Sequence, residues 1–378
     1  MTDTDIKYGL AGVVADDTSV SKVMPEINSL TYRGYKVQDL ATQCRFEEVA
    51  YLIWHGELPN SEQLEKFNAL EKSERGLSDD LKTVMALFNK KAHPMDTLRT
   101  AISFLGQEDN EANDSSPDAL MTKSVRMFAK IPEIVAADFR LRHGKKPIPA
   151  TKDLPFSENF FQMCFGEVPA PEIVKCFDIS MTLYAEHSFN ASTFTARTIA
   201  SSTSDIYSAI TGAIGSLKGP LHGGANEAVM HMLEEVGSPE TAKDWMLDAL
   251  ATKKKIMGFG HRVYRSGDSR VPTMTDAYEK MVEVIGTKEA KKYWEISQTL
   301  DETMVKEKGI YPNLDFPAGP AYYLMGFEIP MFTPIFVVSR ITGWTAHVME
   351  QLADNKLIRP LSNYKGPDQR EVTQISAR

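Results

Sequence analysis

Three of the eight histidines stand in unusual company. They lie in Ala185-Glu186-His187-Ser188-Phe189-Asn190-Ala191-Ser192, in Gly219-Pro220-Leu221-His222-Gly223-Gly224 and in Gly258-Phe259-Gly260-His261-Arg262. A single histidine is most often structural or simply exposed. Glycines beside two of these add a second reading. Glycine lets the backbone approach a ligand closely, accepts positive φ and removes the side chains that would bury the ring. His222 also precedes a helical pattern, Ala225–Glu235. The positive end of a helix disfavours imidazolium, and a neutral imidazole can donate a hydrogen bond to a carbonyl without being a strong acid.

A carboxylate and a set of arginines join them. Tyr311-Pro312-Asn313-Leu314-Asp315-Phe316-Pro317-Ala318-Gly319 sets one acid among apolar and turn residues. Asp315 there suits two roles, a cap for the following helix or a partly desolvated general base. Arg262, Arg265 and Arg270 crowd behind His261, Arg340 and His347 are seven apart and share a helix face, and Arg359 precedes Pro360. Each arginine alone reads as a solvated surface residue. Together, as bidentate forks, they suit a multiply anionic ligand. Gly258-x-Gly260 lacks the third glycine and the preceding strand of a dinucleotide fingerprint. Neither H-E-x-x-H nor G-x-S-x-G occurs. His222 and His231, nine apart, do not align as ligands on one helix face. The residues point to proton abstraction beside a carbonyl on a polycarboxylate, with no metal and no cofactor.

The elements that must position this chemistry are helical. Apolar spacing predicts helices from Phe46, closed by Gly56, over Thr122–Arg142 with a bend at Pro132, from Pro171 through Tyr184, and over Asp205–Leu217. Further helices are expected from Ser238-Pro239 to about Lys253, over Thr273–Val284, Lys288–Lys308 and Met331–Leu352. Gln107–Asp118 and Lys145–Pro155 read as surface loops. A short β-hairpin is expected over Gly9–Met24, turning at Asp16-Asp17. The chain is therefore all-α apart from that hairpin. No repeat of solenoid period is visible.

Composition narrows the partners. The 378 residues carry 42 Lys plus Arg against 51 Asp plus Glu, a net charge of −9. That argues against a nucleic acid or an acidic membrane as partner. Three cysteines without a C-x-x-C pair argue against a disulfide framework. No apolar run is long enough for a membrane span, and no secretory signal is evident, so a soluble, cytoplasmic protein is expected.

At these motifs the sequence resembles the citrate synthase family in its short dimeric bacterial form. Gly219–Glu227, Gly258–Tyr264 and Pro312–Gly319 carry the resemblance, which extends from Ser29 to Pro360. Tyr184–Arg197 looks most like the 2-methylcitrate synthase branch. The resemblance implies a multi-helical fold with a large domain, residues 1–219 plus 320–378, and an inserted small domain, residues 220–319, closing on each other. It implies condensation of acetyl-CoA or propionyl-CoA with oxaloacetate, with a citryl-CoA lyase as the alternative. Asp315 would take the α-proton, His222 would bind the thioester oxygen, and His261 would polarise the ketone. His187, Arg270 and Arg340 would hold the oxaloacetate carboxylates, joined by Arg359 from the other subunit of a homodimer. Arg265 would meet CoA phosphate. The backbone of Ile256, Met257, Gly258, Phe259 and Gly260, with Ile310 and Asn313, would cradle the adenine. Asn190 and Ser192 would support the histidines. The small-residue helix Asp205–Leu217 is a candidate dimer face or an ordinary intrachain contact. Ser188 departs from the family pattern, which has an acidic residue there. The N-terminal extension of the larger, NADH-inhibited form is absent, so NADH regulation is not expected.

Overall fold

The computed structural model describes residues 6–261, 263–264 and 267–378. Its strands are β1 (Ser21–Met24), β2 (Ser29–Tyr32) and β3 (Tyr35–Lys36), a small antiparallel sheet in that order. Ser21 faces Tyr32, and Thr31 faces Lys36. The hairpin therefore lies downstream of the expected position. Only Ser21–Met24 of Gly9–Met24 is strand, and the turn runs through the left-handed Asn28. Val13 and Val14 supply β propensity but are exposed. Propensity without a face to bury does not make a strand. Asp16, the expected turn former, instead pairs with Arg197 at 2.9 Å.

The helices are α1 (Val37–Gln43), α2 (Phe46–His55), α3 (Ser61–Glu74), α4 (Asp79–Leu87), α5 (Pro94–Glu108), α6 (Pro117–Arg142), α7 (Phe156–Phe165) and α8 (Pro171–Tyr184). They continue as α9 (Ala191–Ser201), α10 (Ile206–Leu217), α11 (Ala225–Val236), α12 (Pro239–Ala251), α13 (Val271–Ile285), α14 (Lys288–Lys308), α15 (Asp315–Leu324) and α16 (Phe332–Ala353). Their ends follow local chemistry. Gly56 closes α2 in the left-handed region, Pro171 opens α8, and Thr287 and Gly309 bracket α14. Helix α6 runs from Pro117 to Arg142 with Pro132 inside it.

Helix α16 is buried on every side from Phe332 to Val348. A helix buried all round sits in the middle of a core, and the polar residues it carries there must find partners inside. Helices α2, α5, α6, α8, α9 and α10 pack around it. Further along the chain α11 packs on α15 and α12 on α14, while α13 lies against α8. The small residues of α10 serve intrachain packing: a Cβ on Gly212 would lie 2.2 Å from Ile199 Cδ1 of α9. No helix among the described residues is long and apolar enough to cross a membrane.

Two buried carboxylates join α2, α7 and α8. Asp178 accepts the Phe46 N–H at 3.1 Å and the Ser157 hydroxyl at 2.8 Å, and Glu47 accepts the Phe156 N–H at 3.0 Å. Each thereby caps the start of a helix other than its own. Burial first, and Glu47 second, push Asp178 up to about 7. The folded protein thus holds this proton more tightly than the unfolded chain, so the stability it contributes is present at low pH and lost as pH rises through about 7. Chemical denaturation at about pH 5.5 and about pH 8 tests this: Asp178→Asn should remove about 2 kcal/mol of the decline between them.

Candidate active site

One cavity of ≈ 360 Å³ gathers most of the chemistry. His187, His222, His261, Asp315, Arg270 and Arg340 all line it. Met257, Phe259, Gly260, Asn313 and Asn190 line it too, with Tyr184, Leu221, Leu314, Lys255 and Phe336.

Each catalytic candidate is held by its local fold. Asp315 is the first residue of α15, one place past the N-cap position, which Leu314 occupies. The N-cap reading therefore does not hold. Its Oδ1 accepts the Tyr184 hydroxyl at 2.6 Å. Burial pushes the carboxyl up to about 6, while the Tyr184 hydrogen bond and Arg270 pull the other way.

His222 sits in the turn between α10 and α11. The Ser192 N–H reaches its Nε2 at 3.3 Å, and Ser192 Oγ lies 2.8 Å from the same atom. That hydroxyl also accepts from Trp344 Nε1 at 3.0 Å and lies 2.8 Å from Asn190 Oδ1. Asn190 in turn caps α9 through the Thr193 N–H. Asn190 and Ser192 therefore stand where support for His222 is needed. Burial, then Arg340, lowers His222 to about 4.

His261 Nδ1 accepts the N–H groups of Val263 and Tyr264 at 3.0 and 3.3 Å. A neutral ring then carries its hydrogen on Nε2. Burial, then Arg270, lowers it to about 4. His187, 5.1 Å away ring to ring, is pushed well below the usual histidine range by burial and Arg270. Its Nε2 is buried with no partner among the described residues. An orphaned imidazole nitrogen beside two guanidinium groups is a ready partner for a ligand carboxylate.

Arg270 is 5 % exposed and Arg340 2 %. Asp268 grips Arg270 through two bonds, 2.9 and 2.7 Å long. Arg340 Nε donates to the Tyr184 carbonyl at 2.6 Å, and its guanidinium lies 4.8 Å from the Phe336 ring centre. Burial lowers Arg340 to about 10, which leaves it charged at neutral pH.

The two backbone segments expected to cradle the adenine are adjacent. Phe259 and Pro312 form an antiparallel bridge, Gly260 N–H meets Tyr311 O at 2.8 Å, and Asn313 N–H meets Gly258 O at 2.9 Å. Gly258 has φ 81°, and a Cβ there would lie 2.6 Å from Val229 Cγ2, so only glycine fits. Ile256, Gly258 and Ile310 belong to these segments without lining the cavity. Arg359 does not line it either and lies exposed in the tail beyond α16. Arg262 and Arg265 fall outside the described residues. His347, on the face of Arg340, stands one layer behind the cavity and contacts Glu186 at 2.9 Å.

The family model for the citrate synthase C-terminal domain matches residues 9–361. The chain belongs to the citrate synthase family. It is an acyltransferase of that class. It is 57% identical to a citrate synthase of Mycolicibacterium smegmatis over 97% of both chains. It is also 57% identical to a 2-methylcitrate synthase of Mycobacterium tuberculosis, over 97% of this chain and 92% of that one. The fold matches a citrate synthase from Thermoplasma acidophilum, solved as a ternary complex with carboxymethyl coenzyme A and oxaloacetate, with a TM-score of 0.91. That match is 29% identical and covers 99% of this chain and 100% of that one.

Sequence reasoning quoted Tyr184 but gave it no role, and passed over Asp268, Lys255 and Phe336. Asp268, two residues before Arg270, was the one with a local signal. The Tyr184 contact generates a prediction. Its hydroxyl stabilises the ionised carboxylate, so Tyr184→Phe should raise Asp315 further above the usual carboxylate range. The acid limb of the pH–rate profile should then move to higher pH, while the far-ultraviolet circular dichroism stays unchanged.

Proposed function

We propose that the chain condenses acetyl-CoA, propionyl-CoA or both with oxaloacetate and then hydrolyses the thioester, releasing citrate or 2-methylcitrate and CoA. The observation that carries this reading is a single cavity holding one carboxyl raised to about 6, two imidazoles lowered to about 4 and two buried guanidinium groups. A thioester α-proton is a very weak acid. Base and hydrogen-bond donor must therefore act on one substrate in a water-poor site.

Asp315 Oδ2 takes the α-proton while Tyr184 holds Oδ1. His222 donates to the thioester oxygen as charge builds there. That role places the ring hydrogen on Nδ1, with Nε2 accepting the Ser192 N–H, while the Ser192 hydroxyl donates to Asn190 Oδ1. His261 donates from Nε2 to the oxaloacetate ketone. The enol carbon attacks that ketone carbon, the ketone oxygen becomes the product hydroxyl, and water later cleaves the thioester. His187, Arg270 and Arg340 bind the two carboxylates. No metal or cofactor is assigned a role. Lys255 joins Arg265 as a cation for CoA phosphate, and the 256–260 and 310–313 segments receive the adenine.

Residues 220–319 act as a small domain that closes on the rest, with oxaloacetate binding first. The enzyme works as a homodimer, with Arg359 reaching the partner's oxaloacetate. Exposed Leu361, Tyr364 and Ile375 in the same tail suit a surface that a second copy covers. Cys44, Cys164 and Cys176 are all unpaired, in keeping with a cytoplasmic setting. Nothing observed favours the lyase direction.

Thiol release from acetyl-CoA and propionyl-CoA, each with and without oxaloacetate, tests the reading. Release from at least one thioester should depend on oxaloacetate, and the acid limb should lie near about pH 6, below which Asp315 is protonated. Folded, dimeric protein that releases no thiol, or releases it equally without oxaloacetate, would sink the proposal.

A further inference from the structure

The turn that carries His222 is fastened at a point the reaction does not use. Glu227 lies in the first turn of α11, five residues after His222. Its Oε2 is 3.2 Å from His93 Nε2. Its Oε1 accepts the Thr333 N–H at 3.3 Å and, more closely, the Thr333 hydroxyl. His93 caps α5 by accepting the Met95 N–H on Nδ1 at 3.2 Å. The neutral ring must then carry its hydrogen on Nε2, aimed at Glu227. Thr333 completes the clasp, since its hydroxyl also lies 3.5 Å from the carbonyl of Gly223, the residue after His222. Three helices far apart in sequence, α5, α11 and α16, thus converge on one carboxylate.

Exposure and packing decide what this contact does. The side chains of His93 and Glu227 are 29% and 17% exposed. A contact that open to water adds little stability. Direction is its larger effect, because three donors fix both carboxylate oxygens. The backbone around the clasp has no slack. A Cβ on Gly223 would lie 2.5 Å from Leu217 O, and one on Gly319 2.9 Å from Asn226 O. A shift of the start of α11 is therefore passed on to His222 rather than absorbed.

We propose that Glu227, held by His93 and Thr333, is a positioning residue that sets His222 against the acyl thioester. The inference rests on the role given above to His222. Glu227→Gln keeps the acceptor for Thr333 but turns an amide N–H toward the His93 N–H. Thr333→Val keeps the shape and removes the hydroxyl.

Each variant should lower kcat about tenfold while KM for oxaloacetate stays within about twofold, because misplacement costs rate rather than carboxylate binding. Exchange of the acyl α-proton in D2O should fall by the same factor, with a non-reacting dicarboxylate filling the oxaloacetate site. The double variant should fall no further than the worse single variant, since His93 and Thr333 hold the two oxygens of one carboxylate and the clasp needs both. A merely structural role would lower melting temperature and leave kcat and exchange per folded molecule unchanged, and that result overturns the proposal. Independent, multiplying losses would overturn it too. Should one variant fail to fold, the other and His93→Gln carry the same readouts. His222→Ala separates the two levels: retained turnover there removes the basis of the proposal, whereas lost turnover there with an unaffected Glu227→Gln refutes the clasp alone.

Discussion

The site depends on keeping two guanidinium charges out of water. An unpaired buried charge costs several kcal/mol, so each needs a counter-charge or dipoles close by. Asp268 supplies a bidentate partner for Arg270, and that same contact drives the Asp268 carboxyl far below its usual range. Arg340 has a carbonyl partner in Tyr184, and the buried Glu186 supplies the opposing charge. The histidines inherit the consequence. With burial, the field of Arg270 keeps His187 and His261 neutral, and that of Arg340 does the same for His222. Neutral rings next to fixed positive charge can donate hydrogen bonds to developing oxyanions without giving up a proton early. Asp315 feels the same field with the opposite sign, which restrains the rise that burial causes.

The layer behind the cavity explains why a small sheet is present in a helical protein. Glu186 accepts from the Ser21 hydroxyl at 3.0 Å and sits 2.9 Å from His347 Nε2. The Tyr32 hydroxyl donates to the Glu186 carbonyl at 2.9 Å. Ser21 and Tyr32 are cross-strand partners, so the sheet grips the turn of His187 from both strands. Ser188 adopts φ 52° and donates its N–H to Ser21 Oγ at 2.9 Å. The backbone makes the contact at this position. Gly343 leaves the room: a Cβ there would lie 2.3 Å from Glu186 Oε2.

Helix limits were legible because their signals are local. Thr287, Gly309, Pro171 and Gly56 mark ends by chemistry within one turn. The glycine-flanked histidines were legible for the same reason, since glycine removes a neighbour in sequence as well as in space. The role of Asp315 stayed double until its partner was known, and that partner, Tyr184, is 131 residues away. Glu186 with His347 and Glu227 with Thr333 are likewise joined across 161 and 106 residues. Such pairs leave no period or spacing to read. The hairpin was misplaced because valines at 13 and 14 look like strand from their type alone, whereas burial decides strand formation. Arg359 is a different case, since the proposed contact lies between two chains.

Leu221 ties the proposed closure to the proposed chemistry. It immediately precedes His222, lines the cavity and is 90 % exposed. Burying a side chain of this kind is favourable by about 1.5–3 kcal/mol. An apolar residue at the mouth therefore favours any state in which the acyl thioester or the opposite wall covers it. In the proposed closure the same movement would strip water from Asp315 and His222, where stray water would protonate the enol before the carbon–carbon bond forms. Covering Leu221 and drying the base would then be one event, coupling substrate capture to the proton transfer it must precede.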